Sequence, residues 1–154
     1  MYELPVYRVQ LVREASLLVE QRAVRSPSSA ANVIRKHLAG ADREHLVVLM
    51  LDTKLKSIGI STIAVGTLNA CMIHPREVFK PAVLHNAHGI IVAHNHPSGD
   101  PTPSPEDAEI AERLVKSGEI LGISVQDVLI VGETKHYSFA AEGRLHSGNT
   151  RRAA

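Results

Sequence analysis

The residues best suited to chemistry lie in the string His94-Asn95-His96-Pro97-Ser98-Gly99-Asp100-Pro101-Thr102-Pro103-Ser104-Pro105-Glu106-Asp107. Two imidazoles at i and i+2 on an extended chain face the same side, so both can meet one ion at the mouth of a strand. A third ligand can come from the element after the loop. Asp107 is the candidate, because a carboxylate in a first helical turn is favoured by the unpaired N–H groups there. The prolines between the two parts leave the connecting loop little conformational freedom. Two histidines, one aspartate and an open fourth position describe a catalytic rather than a structural zinc site. Each piece alone has a plainer reading: a stray histidine pair, an ordinary helix cap, a proline-rich loop. Their coincidence at the end of an apolar strand points to a metal.

Other zinc patterns do not fit. The His-Glu-x-x-His helix is absent from the sequence. A deaminase pattern ending in Pro-Cys-x-x-Cys needs two cysteines, and the chain has one. That single Cys71, read as a small buried hydrophobe, also excludes an internal disulfide framework and a multi-cysteine ribbon. The other histidines, His37, His45, His74, His85, His88, His136 and His146, read as ordinary surface or packing residues.

The elements that must position this string follow from pattern. Residues 45–52 (HLVVLMLD) and 89–94 (GIIVAH) are short continuous apolar runs, the mark of strands buried on both faces. A further strand is expected over 57–65. Strands over 124–131 and 135–140 are separated by a turn at Gly132-Glu133. Ser104 is a natural N-cap with Pro105 at the first helical position, which predicts a helix from Pro105 to about Leu121, ended by Gly122. The serines before Ala30 and the glycine after Leu38 bracket a shorter helix over 30–38. A third helix is expected over 76–87, kinked or restarted at Pro81. Residues 4–11 (LPVYRVQL) alternate apolar and polar and read as a strand or an extended arm. The expected division is an N-terminal arm over 1–26, one α/β domain over 27–141 with a mixed central sheet flanked by helices, and a frayed polar tail over 142–154.

Composition bounds the partners. With 154 residues, 44% hydrophobic and 21% charged, the chain reads as one globular domain with a real core. A net charge of +1 and only five aromatic residues give no strong electrostatic or stacking footprint for nucleic acid. The apolar runs fall far short of the ~18 residues of a membrane span. The N-terminus lacks the pattern of a signal peptide, so a cytoplasmic location without membrane contact is the expectation.

The spacing His94-x-His96-Pro97, six residues, Ser104, two residues, Asp107 resembles the motif of the JAMM (MPN-type) metalloprotease superfamily. The longer string HNHPSGDPTPS, with HPREVF at 74–79 and GTLNA at 66–70, resembles its RadC-like branch, over about Pro27 to Ala140. The resemblance implies a single JAMM/MPN-type domain, a cytidine-deaminase-like three-layer sandwich. It implies a Zn2+-dependent hydrolase acting on a protein or peptide substrate, with His94, His96 and Asp107 holding the metal. Ser104 would support the oxyanion of the tetrahedral intermediate. An upstream glutamate would serve as general base. Glu44, just ahead of the 45–52 strand, is the choice, and Glu77 is its rival. RadC-like proteins often carry a helix-hairpin-helix segment. The short N-terminus here leads us to expect a stand-alone domain. The alternative is a non-catalytic RadC-like module associated with DNA repair or mobile-element processing.

Overall fold

The computed structural model describes residues 1–67 and 73–146. Residues 68–70 of the GTLNA string, Cys71 and the end of the tail therefore lie outside the described residues. Element order is α1 (Pro27–His37), β1 (His45–Leu51), β2 (Ser57–Val65), α2 (Pro75–Leu84), β3 (Gly89–Asn95), α3 (Pro105–Leu121), β4 (Ser124–Val131) and β5 (His136–Ser138). The strands form one mixed sheet in the order β2-β1-β3-β4-β5. Only β3 and β4 pair in parallel, joined by the α3 crossover; the other neighbours are antiparallel.

The continuous apolar runs are explained by burial on two faces. Leu46, Val48, Met50, Ile90, Val92, Val128 and Ile130 point to one side, where α2 contributes Val78, Phe79 and Ala82 and α3 contributes Ile110, Ala111 and Leu114. Val47, Leu49, Leu51, Ile91, Ala93, Leu129 and Val131 point to the other, against Ala30, Ala31 and Ile34 of α1. The sheet is thus the middle of three layers. Strand alternation assigns each residue to its layer, so His94, two residues after Val92, falls on the α2/α3 side.

Local chemistry sets the element ends. The α1 helix starts earlier than expected, because Ser26 caps it in a reciprocal box with Ser29 and Pro27 occupies the first turn. The α2 helix also departs from expectation. It is a single helix that runs through Pro81 and stops at Leu84. The last strand also falls short: β5 ends at Ser138, not residue 140. The reason is Asp127, buried in β4. Its Oδ1 accepts the N–H of Val128 at 2.8 Å and of Ala140 at 3.0 Å, and its Oδ2 accepts the Ser138 hydroxyl. The Ala140 amide is therefore spent on a side chain instead of a ladder. Burial raises the Asp127 carboxyl above its ordinary value, with those three donors pulling it back down. Beyond β5 the chain is tied as far as Arg144, which donates to the Tyr137 hydroxyl at 2.8 Å and lies over the Phe139 ring.

Residues 1–19 belong to no helix or strand. Tyr2, Leu4, Val6, Tyr7, Val9 and Val12 are exposed. Pairing with the sheet begins only at Ala23, which bridges Lys56.

Candidate metal centre

The antiparallel β1–β3 ladder ends with Leu46 opposite His94. Past that pair come Asn95, the last residue of β3, and then His96, whose N–H still reaches Val131 O of β4 at 3.2 Å. The loop then turns at Gly99, whose N–H returns to His96 O at 2.9 Å and whose backbone adopts φ +82, a conformation glycine takes without strain. After the prolines, α3 begins.

The start of α3 aims the third candidate ligand. Ser104 Oγ accepts the Asp107 N–H at 3.2 Å, and Asp107 Oδ2 accepts the Ser104 N–H at 2.8 Å. This reciprocal box pins the carboxylate at the helix end nearest the sheet. Asp107 Oδ1 then lies 3.0 Å from His94 Nε2, and Oδ2 lies 3.7 Å from His96 Nε2. The two Nε2 atoms are 3.2 Å apart. Among the described residues this is the one group of three or more potential ligands that converge in this way.

The donor set suits a cation. His96 Nδ1 is 2.8 Å from the Asp100 carbonyl, which can only accept, so Nδ1 carries the proton. In the neutral ring, Nε2 then presents a lone pair toward a carboxylate and a second imidazole. Lone pairs that converge need a positive charge between them, either a proton or a metal. Ligand atoms of a tetrahedral zinc at ~2.0–2.1 Å stand about 3.3 Å from one another. The His94–His96 separation of 3.2 Å and the Asp107 Oδ1–His94 separation of 3.0 Å are close to that edge length, and the Asp107 oxygen nearest His96 is Oδ2, at 3.7 Å. Burial pushes the Asp107 carboxyl up, but the His94 ring and the Ser104 N–H outweigh it and hold the group at about 2. Asp107 is therefore ionised and ready to ligate at neutral pH. His94 and Asp107 are nearly covered, while the His96 side chain keeps 18% exposure, so the centre opens to solvent on the His96 side.

The two candidate bases differ in setting. Glu77 sits on the exposed side of α2 with its carboxylate 2.8 Å from Lys80 Nζ, a surface ion pair. Glu44 is half-buried immediately before β1. Glu44 lies two residues before Leu46, where the β1–β3 pairing ends opposite His94. Its own C=O accepts the Gly66 N–H at 2.9 Å, from the end of β2. Glu106, next to Asp107, is exposed. His45 turns its Nδ1 to the Arg43 carbonyl at 2.9 Å, and His74 caps α2 through no side-chain bond.

Two participants escape a reading of residue types. One is the Asp100 carbonyl, a backbone group with no signature in the sequence. The other is Asn95, whose side chain accepts from His45 N–H at 2.7 Å and donates to Arg43 O at 3.0 Å. Its position between the two histidines was the only available hint.

The RadC-like JAB domain family matches residues 24–144. A UPF0758 protein of Thermotoga maritima is 55% identical over 104 residues, covering 68% of this chain and 47% of its own. A UPF0758 protein of Desulforudis audaxviator is 46% identical over 123 residues, covering 80% of this chain and 54% of its own. One from Methanococcoides burtonii is 41% identical over 138 residues, covering 88% of this chain and 60% of its own. The chain spans about half the length of the curated relatives it matches.

Proposed function

The chain belongs to the RadC-like JAB domain family, and on that premise we propose that it is a zinc-dependent hydrolase of peptide or isopeptide bonds. The observation that carries the reading is the convergence of His94, His96 and Asp107 within metal-ligand distances of one another, on a centre open to solvent. Bound there, zinc supplies Lewis-acid polarisation of a water or a carbonyl oxygen.

The protein's own groups have the following roles. Asp107 and the two Nε2 atoms hold the cation, and the Asp100 carbonyl keeps His96 in the ligating tautomer. Glu44, just ahead of β1, takes a proton from the attacking water and delivers it to the leaving amine. Ser104 Oγ already accepts from Asp107 N–H, so its hydroxyl hydrogen is available to the oxyanion that develops on the substrate carbonyl. One serine thus caps the helix and stabilises charge.

A screen of peptide and isopeptide substrates with wild-type protein and Glu44→Gln tests this. The variant keeps the metal and loses hydrolysis by a factor of ~10²–10⁴, the usual contribution of a positioned base. A Glu44→Gln protein as active as wild type would remove Glu44 from the mechanism.

A further inference from the structure

The side-chain amide of Asn95 occupies a place where a strand would ordinarily continue. Residues on a strand send their N–H and C=O alternately to the two sides. Arg43 and His45 therefore face β3, and Glu44 faces β2. On the β2 side, Glu44 O accepts from Gly66 N–H at 2.9 Å. On the β3 side, backbone pairing has ended at Leu46 opposite His94. There the Asn95 carboxamide takes over: Oδ1 accepts His45 N–H at 2.7 Å and Nδ2 donates to Arg43 O at 3.0 Å. An amide is the one side-chain group that offers an acceptor and a donor in this fixed plane. Both peptide groups flanking Glu44 are thereby fastened to the residue that lies between the two histidine ligands.

We propose that Asn95 is a positioning residue that holds Glu44 in register with the metal ligands. The inference rests on the reading of Glu44 as general base. It makes the distance between base and metal a property of one residue: the chain at 94–96 carries His94 and His96 on its backbone and Glu44 on the Asn95 side chain. A base misplaced by about an ångström loses much of its effect, and here the spacing is set by two hydrogen bonds to the residue between the ligands.

The test is Asn95→Leu, close in volume and lacking both bonds, in the full chain, with zinc as the probe. Three quantities are read: zinc affinity, hydrogen exchange of the His45 amide, and the carboxyl carbon resonance of Glu44 in labelled protein. The expected result is unchanged zinc affinity, His45 exchange faster by about tenfold for the lost bond, and a Glu44 carboxyl signal that shifts and averages. If Asn95→Leu does not fold, Asn95→Asp, which keeps the acceptor for His45 N–H and loses the donor to Arg43 O, is expected to move both signals in the same direction by less. A Glu44 signal identical to wild type in a folded variant overturns the proposal, even if His45 exchanges faster, because Asn95 would then only tie off the sheet end. The hydrolase reading fails separately. A chain that cleaves nothing, yet shows both signals moved, loses the reaction and keeps the clamp. Hydrolysis that depends on Glu44 but is untouched by Asn95→Leu loses the clamp alone. Where a substrate is in hand, Asn95→Leu lowers kcat in the wild-type background and not in Glu44→Gln, a dependence that mere loss of stability would not produce.

Discussion

Gly132 links the far edge of the sheet to the candidate metal centre, and Gly132→Ala measures that link. A Cβ at this position would lie 2.3 Å from the Gly99 carbonyl oxygen and 3.1 Å from its carbon. Ordinary contact begins at 3.4 Å, so the Gly99 carbonyl must retreat by about 1.1 Å or the β4–β5 turn must lift by as much. Neither side yields easily. Gly132 donates to Lys135 O at 2.9 Å and accepts from Arg35 Nε at 3.1 Å, while Gly99 N–H is bound to His96 O at 2.9 Å. The residue after Gly99 supplies the carbonyl that holds His96 Nδ1 at 2.8 Å. Stretched by about an ångström, that contact passes beyond the ~3.2 Å limit of a good hydrogen bond. Overpacking of this kind costs about 1–3 kcal/mol, and loss of a group that orients a ligating histidine weakens metal affinity by about 10–100-fold. The assays are urea unfolding of the metal-free protein and zinc titration against a competing chelator. Gly143→Ala is the control. Its φ of +66 makes alanine strained there, but nothing lies within 4 Å of the added carbon, so it lowers stability and leaves zinc affinity alone. Wild-type zinc affinity in Gly132→Ala would refute the coupling of this turn to His96.

Two further outcomes follow from the start of α3. In the metal-free protein the Asp107 carboxyl sits at about 2, below its ordinary 3.8, so its ionised form stabilises the fold. That contribution, about 2 kcal/mol, is fully present above pH ~4 and is lost as pH falls toward ~2. Acid unfolding monitored by circular dichroism is expected to lose this part of its pH dependence in Asp107→Asn, and an unchanged acid limb would contradict the assignment. Ser104→Ala removes the acceptor for Asp107 N–H and should lower stability by about 1 kcal/mol in thermal unfolding. If the hydroxyl also serves the oxyanion, hydrolysis falls by ~10²–10³ at saturating metal; a loss of stability with full activity would leave Ser104 a cap only.

Much of this molecule is legible in its residues because local and global preferences agree. Residues 46–51 and 90–93 read as two-sided strands, since every position there is apolar and each lands in one of the two cores. The α3 start was readable from Ser104, Pro105 and Asp107, and those same residues aim the carboxylate. The His-x-His pair declared its geometry because strand alternation is fixed. The rest depended on contacts distant in sequence. The short β5 reflects Asp127, which captures the Ala140 amide from the neighbouring strand, and nothing within 135–140 announces that. The setting of Glu44 comes from the Asn95 carboxamide, which bonds to His45 and Arg43 on either side of it from about fifty positions away in the chain. Pro81 does not divide α2 into two helices, because the loss of one helical hydrogen bond does not outweigh the burial of Val78, Phe79 and Ala82 on the same helix.

The central claim is that His94, His96 and Asp107 form a zinc centre. Metal content by mass spectrometry, on protein purified without chelator and alongside Asp107→Ala, tests it most directly. The expected result is about one zinc per chain in the wild type and a loss of that zinc in the variant. Absence of zinc from both proteins, even after it is added back, would contradict the claim and leave the domain a binding module.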